Sequence, residues 1–413
     1  MLKTNLFQSC IQRMRSFSNF AVVVFTCLAF VSLSFGATAL TFSGVHGQLS
    51  VKGSHIVDQY GTPIQLHGMS MYGWTSNCGY DFYNTTAINN LAAAPWHCTA
   101  IRMPYQPGGS IPMSNITAVI EACINNGIYV ILDWHDGSSQ ANATEASAYF
   151  TTIATTYHTY VNILYEPWNE PNGNGGPSWP NVIKPYMETV VGAIRKIDPN
   201  NVCICGNPQW DQIPSDAAAD PITDYKNCAY TMHFYAASHS VAGFGPSITT
   251  SMNDSCAIFI TEYGTCSSSG GAPIDLTETE AWYNFLDKNK IGSTNWGVEC
   301  EDEGGAACFT QSASSTGPWA SSVMTSEGLF VQNYIDTSYH LSAAGVLPSA
   351  ESKFQQRANS PNMNGLLTGA VTKSAAVYTI NGVRCPAGSK LPNGLYIVRD
   401  PAGNSAVTGL MMR

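Results

Sequence analysis

Short apolar, β-branched runs that each end in polar or aromatic residues recur between Leu49 and Tyr339. They are IQLHGMSMYG from Ile64, CTAIRMPY from Cys98, YVILDWH from Tyr129 and YVNILYEPWNEP from Tyr160. NVCICGNPQW from Asn201, CAYTMHFYAA from Cys228, AIFITEYGT from Ala257 and GSTNWGVE from Gly292 complete the set. Helix-compatible stretches lie between them, such as MSNITAVIEACINNG, PNVIKPYMETVVGAIRKID and LTETEAWYNFLDKNK. The last offers Thr277 as a cap with Glu280 three residues on, a capping-box spacing. Eight strand–helix alternations imply a parallel sheet, and about 290 residues is the size of a closed (β/α)8 barrel of the α/β class. An open doubly wound sheet is the alternative, but the Gly-rich phosphate-binding turn it usually carries is missing.

Both ends of the chain break the alternation. Lys3, Arg13 and Arg15 precede AVVVFTCLAFVSLSF (Ala21–Phe35), and the small residues GATA follow. This reads as an export signal over residues 1–39, cleaved near Ala37 or Ala39, with Met14 as an alternative start. The apolar run is shorter than the roughly 20 residues of a membrane span, and no later run is long enough, so no transmembrane segment is expected after signal removal. Residues 40–340 hold the predicted barrel. Residues 341–372 lack periodicity and read as a linker. Residues 373–413 alternate apolar and polar positions around Asn-Gly and Pro-Ala-Gly turns, predicting a small β unit.

Charge narrows the partners. Charged residues make up 11% of the chain, against roughly 25% in ordinary soluble proteins, and the net charge is −10. Nucleic acid and anionic membrane both need a basic surface, so a neutral ligand suits this chain better. Of 13 cysteines, Cys10 and Cys27 fall in the signal, leaving 13 − 2 = 11. An exported protein can oxidise such thiols, and Cys300 with Cys308, flanking a Gly-rich loop, is the favoured pair. Cys203 and Cys205 alternate on an apolar strand and read as buried thiols. The chain has no CxxC pair, so neither a zinc nor an iron–sulfur site is expected.

In a (β/α)8 barrel the functional groups stand where strands end. The polar residues at those ends are Arg102, His135, Asn169, Glu170, His233, Tyr235, Glu262 and Trp296, from the second to the eighth strand with the fifth contributing none. Each has a bland reading: a turn acid for Glu170, satisfied core histidines for His135 and His233, packing for Trp296. Glu262, however, follows four apolar residues, and a carboxylate there must be paired, hydrogen-bonded or catalytic. Two carboxylates across one cleft suit glycosidic bond cleavage, one protonating the leaving oxygen while the other attacks the anomeric carbon. The attacking group must stay ionised, and Arg102 and Tyr235 are the available donors.

These motifs resemble glycoside hydrolase family five, in its bacterial-type endoglucanase (cellulase) subfamily. The resemblance runs from LSVKGSHIVDQYGTPIQLHGMS through AIRMPY, VILDWH, NEPNG, GNPQWDQ, MHFYAASH and ITEYGT to NWGVE, in the family order. It implies a secreted, retaining endo-β-1,4-glucanase with Glu170 as acid/base and Glu262 as nucleophile. It further implies that Asn169 holds the sugar 2-hydroxyl, that Arg102 and Tyr235 orient Glu262, and that His135 and His233 line the cleaved subsite. Trp296 is expected as a stacking floor for a sugar ring, Glu303 in an acidic binding position, and Trp210 at an outer subsite. Glu166 is expected to point away in a structural role. Tyr72 and Glu301 depart from the family pattern, standing where a histidine and a lysine are usual. The expected partner is a β-1,4-linked glucan, acted on by a monomer with no cofactor and no metal in the chemistry. A mannanase or mixed-linkage glucanase on the same scaffold, and a non-catalytic polysaccharide binder, are the alternatives. The tail, LPNGLYIVRD...TGLMMR, resembles the C-terminal sorting domain of gliding-bacteria (type IX) secretion systems.

Overall fold

A computed structural model describes residues 41–72, 78–136, 142–172, 176–301 and 305–346, with side chains to 339, and the strands 376–379, 394–399 and 405–410. The export signal, Trp74, Glu303 and most of the linker lie outside the described residues. Strands β1 (Ser50–Lys52) and β2 (His55–Val57) form an antiparallel hairpin. The barrel follows: β3 (His67–Met71), β4 (Ala100–Tyr105), β5 (Tyr129–Trp134), β6 (Ile163–Glu166), β7 (Cys203–Cys205), β8 (Cys228–Thr231) with its short continuation β9 (Phe234–Tyr235), β10 (Ile258–Gly264) and β11 (Ser293–Val298). Every neighbouring pair is parallel, and β11 bonds to both β10 and β3, so the sheet closes on itself. The eight sequence runs are the eight barrel positions. The doubly wound alternative is thereby excluded.

Helices cover the outside: α1 (Thr85–Ala92), α2 (Met113–Asn126), α3 (Ala143–Tyr157), α4 (Lys184–Arg195), α5 (Pro214–Ala219), α6 (Val241–Asn253), α7 (Leu276–Asn289) and α8 (Ser326–Val346). The start of α7 differs from the sequence expectation. Its cap is Asp275, whose carboxylate accepts from Glu278 N–H at 2.9 Å, two residues before Thr277. Asp275 and Glu278 repeat the same i,i+3 spacing, so two overlapping signals competed, and the chain entering from Pro273 selects the earlier one. Strands 376–379, 394–399 and 405–410 make a three-stranded antiparallel sheet.

Period-two alternation along the strands sorts side chains into two layers. Ile101, Met103, Val130, Leu132, Ile163, Tyr165 and Ile258 face the helices. Leu66, Ala100, Tyr129, Ile131, Leu164, Ile204, Ala229 and Phe259 form a separate interior cluster with Phe42, Leu49 and Ile56. Burying each large apolar side chain contributes roughly 1.5–3 kcal/mol. Towards the strand C-termini the interior turns polar: Ser70, Arg102, Asp133, Glu166, Thr231 and Thr261 are all fully buried. That polar upper layer carries the site.

Cys300 is bonded to Cys78, 222 residues away, which corrects the Cys300–Cys308 pairing expected from the sequence. Cys308 turns its thiol inward, donating to Asn295 Oδ1 at 3.5 Å, while Cys300 N–H donates to the Cys78 carbonyl at 3.3 Å. Cys203 and Cys205 are buried free thiols, as expected. Closing so long a loop constrains the unfolded chain by an amount on the order of 5 kcal/mol. Cys78→Ser is therefore expected to lower Tm by about 5–10 °C in a calorimetric scan, with the native protein in reductant showing the same fall. A variant that melts with the native protein would show that the bridge constrains little.

Candidate active site

Arg102 organises the polar layer. Its guanidinium is fully buried and faces acceptors on five residues, of which Ser70 Oγ, at 3.5 Å from Nη1, is the most distant. Nε donates to Glu166 Oε2 at 2.8 Å, Nη1 to Glu262 Oε2 at 2.7 Å, and Nη2 to Asp133 Oδ2 at 2.8 Å and Asn169 Oδ1 at 2.6 Å. Alternation explains the company it keeps, since Asp133 and Glu166 are the inward residues in register with each other on β5 and β6. The bidentate fork toward Glu166 also needs arginine's planar geometry, which lysine lacks.

Glu262, near the end of β10, is held from both sides. Tyr235 donates to Oε1 at 2.7 Å while Arg102 takes Oε2. Burial alone pushes a carboxyl up, but the charges of His233 and Arg102, with help from His135 and the Tyr235 hydroxyl, outweigh it and hold Glu262 below the usual carboxylate range. Glu166 follows the same logic: burial is overcome chiefly by Arg102, and the group is lowered to about 2. It does not simply point away, as its sequence position suggested. It lies beneath the cleft, accepting from Arg102 and from the Thr261 hydroxyl at 2.8 Å.

Glu170 leaves β6 through a bend between Pro167 and Pro171, with φ at 49°. Trp168 anchors that bend, buried against Tyr186, its indole N–H donating to the Asp136 carbonyl at 2.7 Å. The Glu170 side chain is the more open of the pair, at 22% exposure against 6% for Glu262, and makes no bond to Arg102. Its partner is His233, whose Nδ1 donates to Oε1 at 2.9 Å. Burial would lower that imidazole, but Glu262, the bonds toward Glu166 and Glu170, and Asp211 drive it well above its ordinary value, favouring the cation. His233 Nε2 then donates to Thr261 Oγ1 at 2.8 Å, completing a chain to Glu166. Carboxylate oxygens of Glu170 and Glu262 and a ring nitrogen of His233 all lie within 4.8 Å of one another.

His135 Nδ1 donates to Asp133 Oδ2 at 2.7 Å, and Asn169 Nδ2 donates to His135 Nε2 at 3.2 Å, so Asn169 bridges Arg102 and His135. Trp296 is 8% exposed, lies nearly parallel to the His135 ring at 5.6 Å, and meets Tyr72 edge-on at 5.4 Å. Trp210 is 44% exposed on the loop after β7. Glu301 is exposed, and Glu299, two residues earlier, is buried and pushed up to about 8 by that burial and by Glu301.

The structure thus brings together Arg102, His135, Asn169, Glu170, His233, Tyr235, Glu262 and Trp296. Asp133, Glu166, Thr261 and Asp211 complete the network and were missing from the sequence-derived set. The first three sit on inward positions of strands, so alternation was the signal that could have found them. Asp211 follows β7, whose loop had supplied only Trp210 as a candidate. Gln209, Trp210 and Asp211 have φ of 55°, 57° and 60°, consecutive left-handed conformations without glycine that cost on the order of 1 kcal/mol each. Burial pushes the Asp211 carboxyl up to about 8, against the opposing pull of His233 and the Asn207 N–H.

Comparison with known proteins bears on this geometry. Residues 57–301 match the family model described as cellulase (glycosyl hydrolase family 5). An endoglucanase from Clostridium saccharobutylicum is 37% identical over 77% of this chain and 70% of its own length. Endoglucanase Z from Dickeya dadantii is 36% identical over 60% of this chain and 59% of its own. Among solved structures, a protein from Cytophaga hutchinsonii aligns with TM-score 0.69 at 34% identity, covering 74% of this chain and 99% of that one. The catalytic domain of a Thermobifida fusca endoglucanase aligns with TM-score 0.63 at 29% identity, over 71% of this chain and 99% of its own.

Proposed function

The chain belongs to glycosyl hydrolase family 5, and from that premise we propose that it is an endoglucanase cleaving internal β-1,4 bonds of glucans with retention of configuration. The observation that carries this reading is the carboxylate pair, whose oxygens approach within 4.8 Å. A pair about 5 Å apart leaves no room for an intervening water and suits a covalent glycosyl-enzyme, whereas inversion needs roughly 6.5–9.5 Å. Glu262, held as an anion by Arg102 and Tyr235, attacks the anomeric carbon. Glu170, open to the cleft, donates its proton to the departing oxygen and then takes one from water in the second step. His233 hands Glu170 a hydrogen bond that fixes its orientation. Asn169 is tied by its carbonyl oxygen to Arg102 and is placed to meet the 2-hydroxyl, and Trp296 offers a rigid apolar face to a sugar ring. Trp210, exposed at the loop after β7, is assigned to an outer subsite.

The basic, apolar and small-residue pattern at the N-terminus supports export, and the tail's resemblance to a sorting domain supports removal or surface attachment there. The testing experiment is release of reducing ends from carboxymethylcellulose, barley β-glucan and mannan, with the anomer first formed followed by proton NMR. Glucan hydrolysis that yields the β-anomer is expected. Preference for mannan would overturn the substrate, and an α-anomer would overturn the double displacement.

A further inference from the structure

Asp211 is fully buried and bonds to the main chain of Glu170. Its two carboxyl oxygens take two backbone donors from different segments: Oδ1 accepts from Asn207 N–H at 2.5 Å, and Oδ2 from Glu170 N–H at 2.8 Å. Its own carbonyl accepts from His233 N–H at 3.0 Å, and the neighbouring Trp210 N–H reaches the Pro171 carbonyl at 3.3 Å. One fully buried residue therefore touches the main chain of Glu170 and of the histidine bonded to the Glu170 carboxyl. Packing leaves no slack around it. A Cβ added to Gly206 would fall 2.4 Å from the Trp168 carbonyl oxygen and 2.8 Å from Asp211 Oδ1. The three left-handed residues ending at Asp211 persist only where surroundings over-determine them, and here they deliver one carboxyl group to two N–H groups.

We propose that Asp211 is a positioning residue for proton transfer, holding the Glu170 main chain at its left-handed φ of 49° so that the carboxyl meets the glycosidic oxygen. This rests on the reading of Glu170 as acid/base. Attack by Glu262 depends on it far less, because the Glu262 carboxylate is bonded directly by Arg102 and Tyr235, neither of which Asp211 holds.

The test uses aryl β-cellobiosides of graded leaving-group ability. Phenolate departs only with help from an acid, whereas 2,4-dinitrophenolate departs as a stable anion. In Asp211→Asn the amide keeps one acceptor oxygen, so one of the two N–H groups faces a second donor. The variant is expected to lose about 100-fold in kcat/KM on phenyl cellobioside, the scale of a misplaced catalytic group, and less than about 3-fold on the dinitrophenyl substrate. Equal losses on both substrates would overturn the proposal, since a general loosening of the site would impair both. Asp211→Ser, smaller and retaining one acceptor, should show the same split if the asparagine variant fails to fold, and equal losses there would be equally decisive. Glu170→Gln, run alongside, separates the two ideas. If it shows no leaving-group dependence, the acid/base assignment itself fails; if it does and the Asp211 variants do not, only the positioning role fails.

Discussion

Glu262→Gln is expected to lower kcat/KM on soluble cellulose derivatives by about 10⁴-fold or more, the scale on which loss of a covalent nucleophile is felt. The fold should survive. Glutamine has nearly the same shape, its oxygen can accept from Arg102 Nη1, and its amide can donate to the Tyr235 hydroxyl, which now accepts. What disappears is the anion between Arg102 and His233. The dinitrophenyl substrate should not restore turnover, because a good leaving group replaces the acid and leaves the attack undone. That distinguishes this variant from Glu170→Gln. Azide adds a stereochemical check. Filling the space vacated in Glu262→Ala, it attacks the face opposite the leaving group and gives an α-glycosyl azide. In Glu170→Ala it intercepts the glycosyl-enzyme from the other face and gives the β-product. Residual activity within about 10-fold of the native enzyme, with reaction products unchanged, would remove Glu262 from the nucleophile role.

Most of this machinery was legible because catalysis in a barrel concentrates at strand ends, and strand ends are what hydrophobic patterning locates. Arg102, Glu170, His233 and Glu262 announce themselves as polar residues closing apolar runs. Asp133 and Glu166 were harder to see. Within VILDWH and NILYEP an isolated acid looks like a surface position, and only its inward register, which needs the closed sheet, places it against Arg102. Asp211 lies within the quoted GNPQWDQ stretch, but nothing in that stretch marked it as a residue of the site. Its turn reads as an ordinary proline loop, and left-handed Gln209 and Trp210 go against the preference that would let sequence predict them. The Cys78–Cys300 bridge was invisible for a related reason. A pairing across 222 residues depends on which loops the barrel brings together, and proximity in sequence favoured the wrong partner.

Arg102→Ala is expected to destabilise the protein by about 3–5 kcal/mol at neutral pH, because it strands Asp133, Glu166 and Glu262 in the interior without their common counter-charge. The pH dependence makes this more than a packing defect. In the native protein Glu166 is lowered to about 2 and Glu262 is also lowered, so both contribute stability that is fully present above the ordinary carboxylate value and fades as pH falls below it. Without the guanidinium, burial is opposed mainly by His233 and the hydroxyl donors, so the folded values of both groups rise toward or past the unfolded ones. The variant then recovers stability as pH falls from 7 toward about 4.5, since protonation neutralises the stranded charges. Asp133, which burial already pushes up, works in that same acid-favouring direction in both proteins. The gap in Tm between native and variant should therefore be widest near pH 7 and narrow steadily in acid. Arg102→Lys keeps the charge but not the fork, so it should show a smaller gap while still losing activity through a loosened Glu262. Calorimetric scans of the three proteins from pH 7 to 4.5 decide the matter. A gap that stays constant with pH would mean that Arg102 stabilises by filling space, and the electrostatic account of how Glu262 is kept ionised would have to be abandoned.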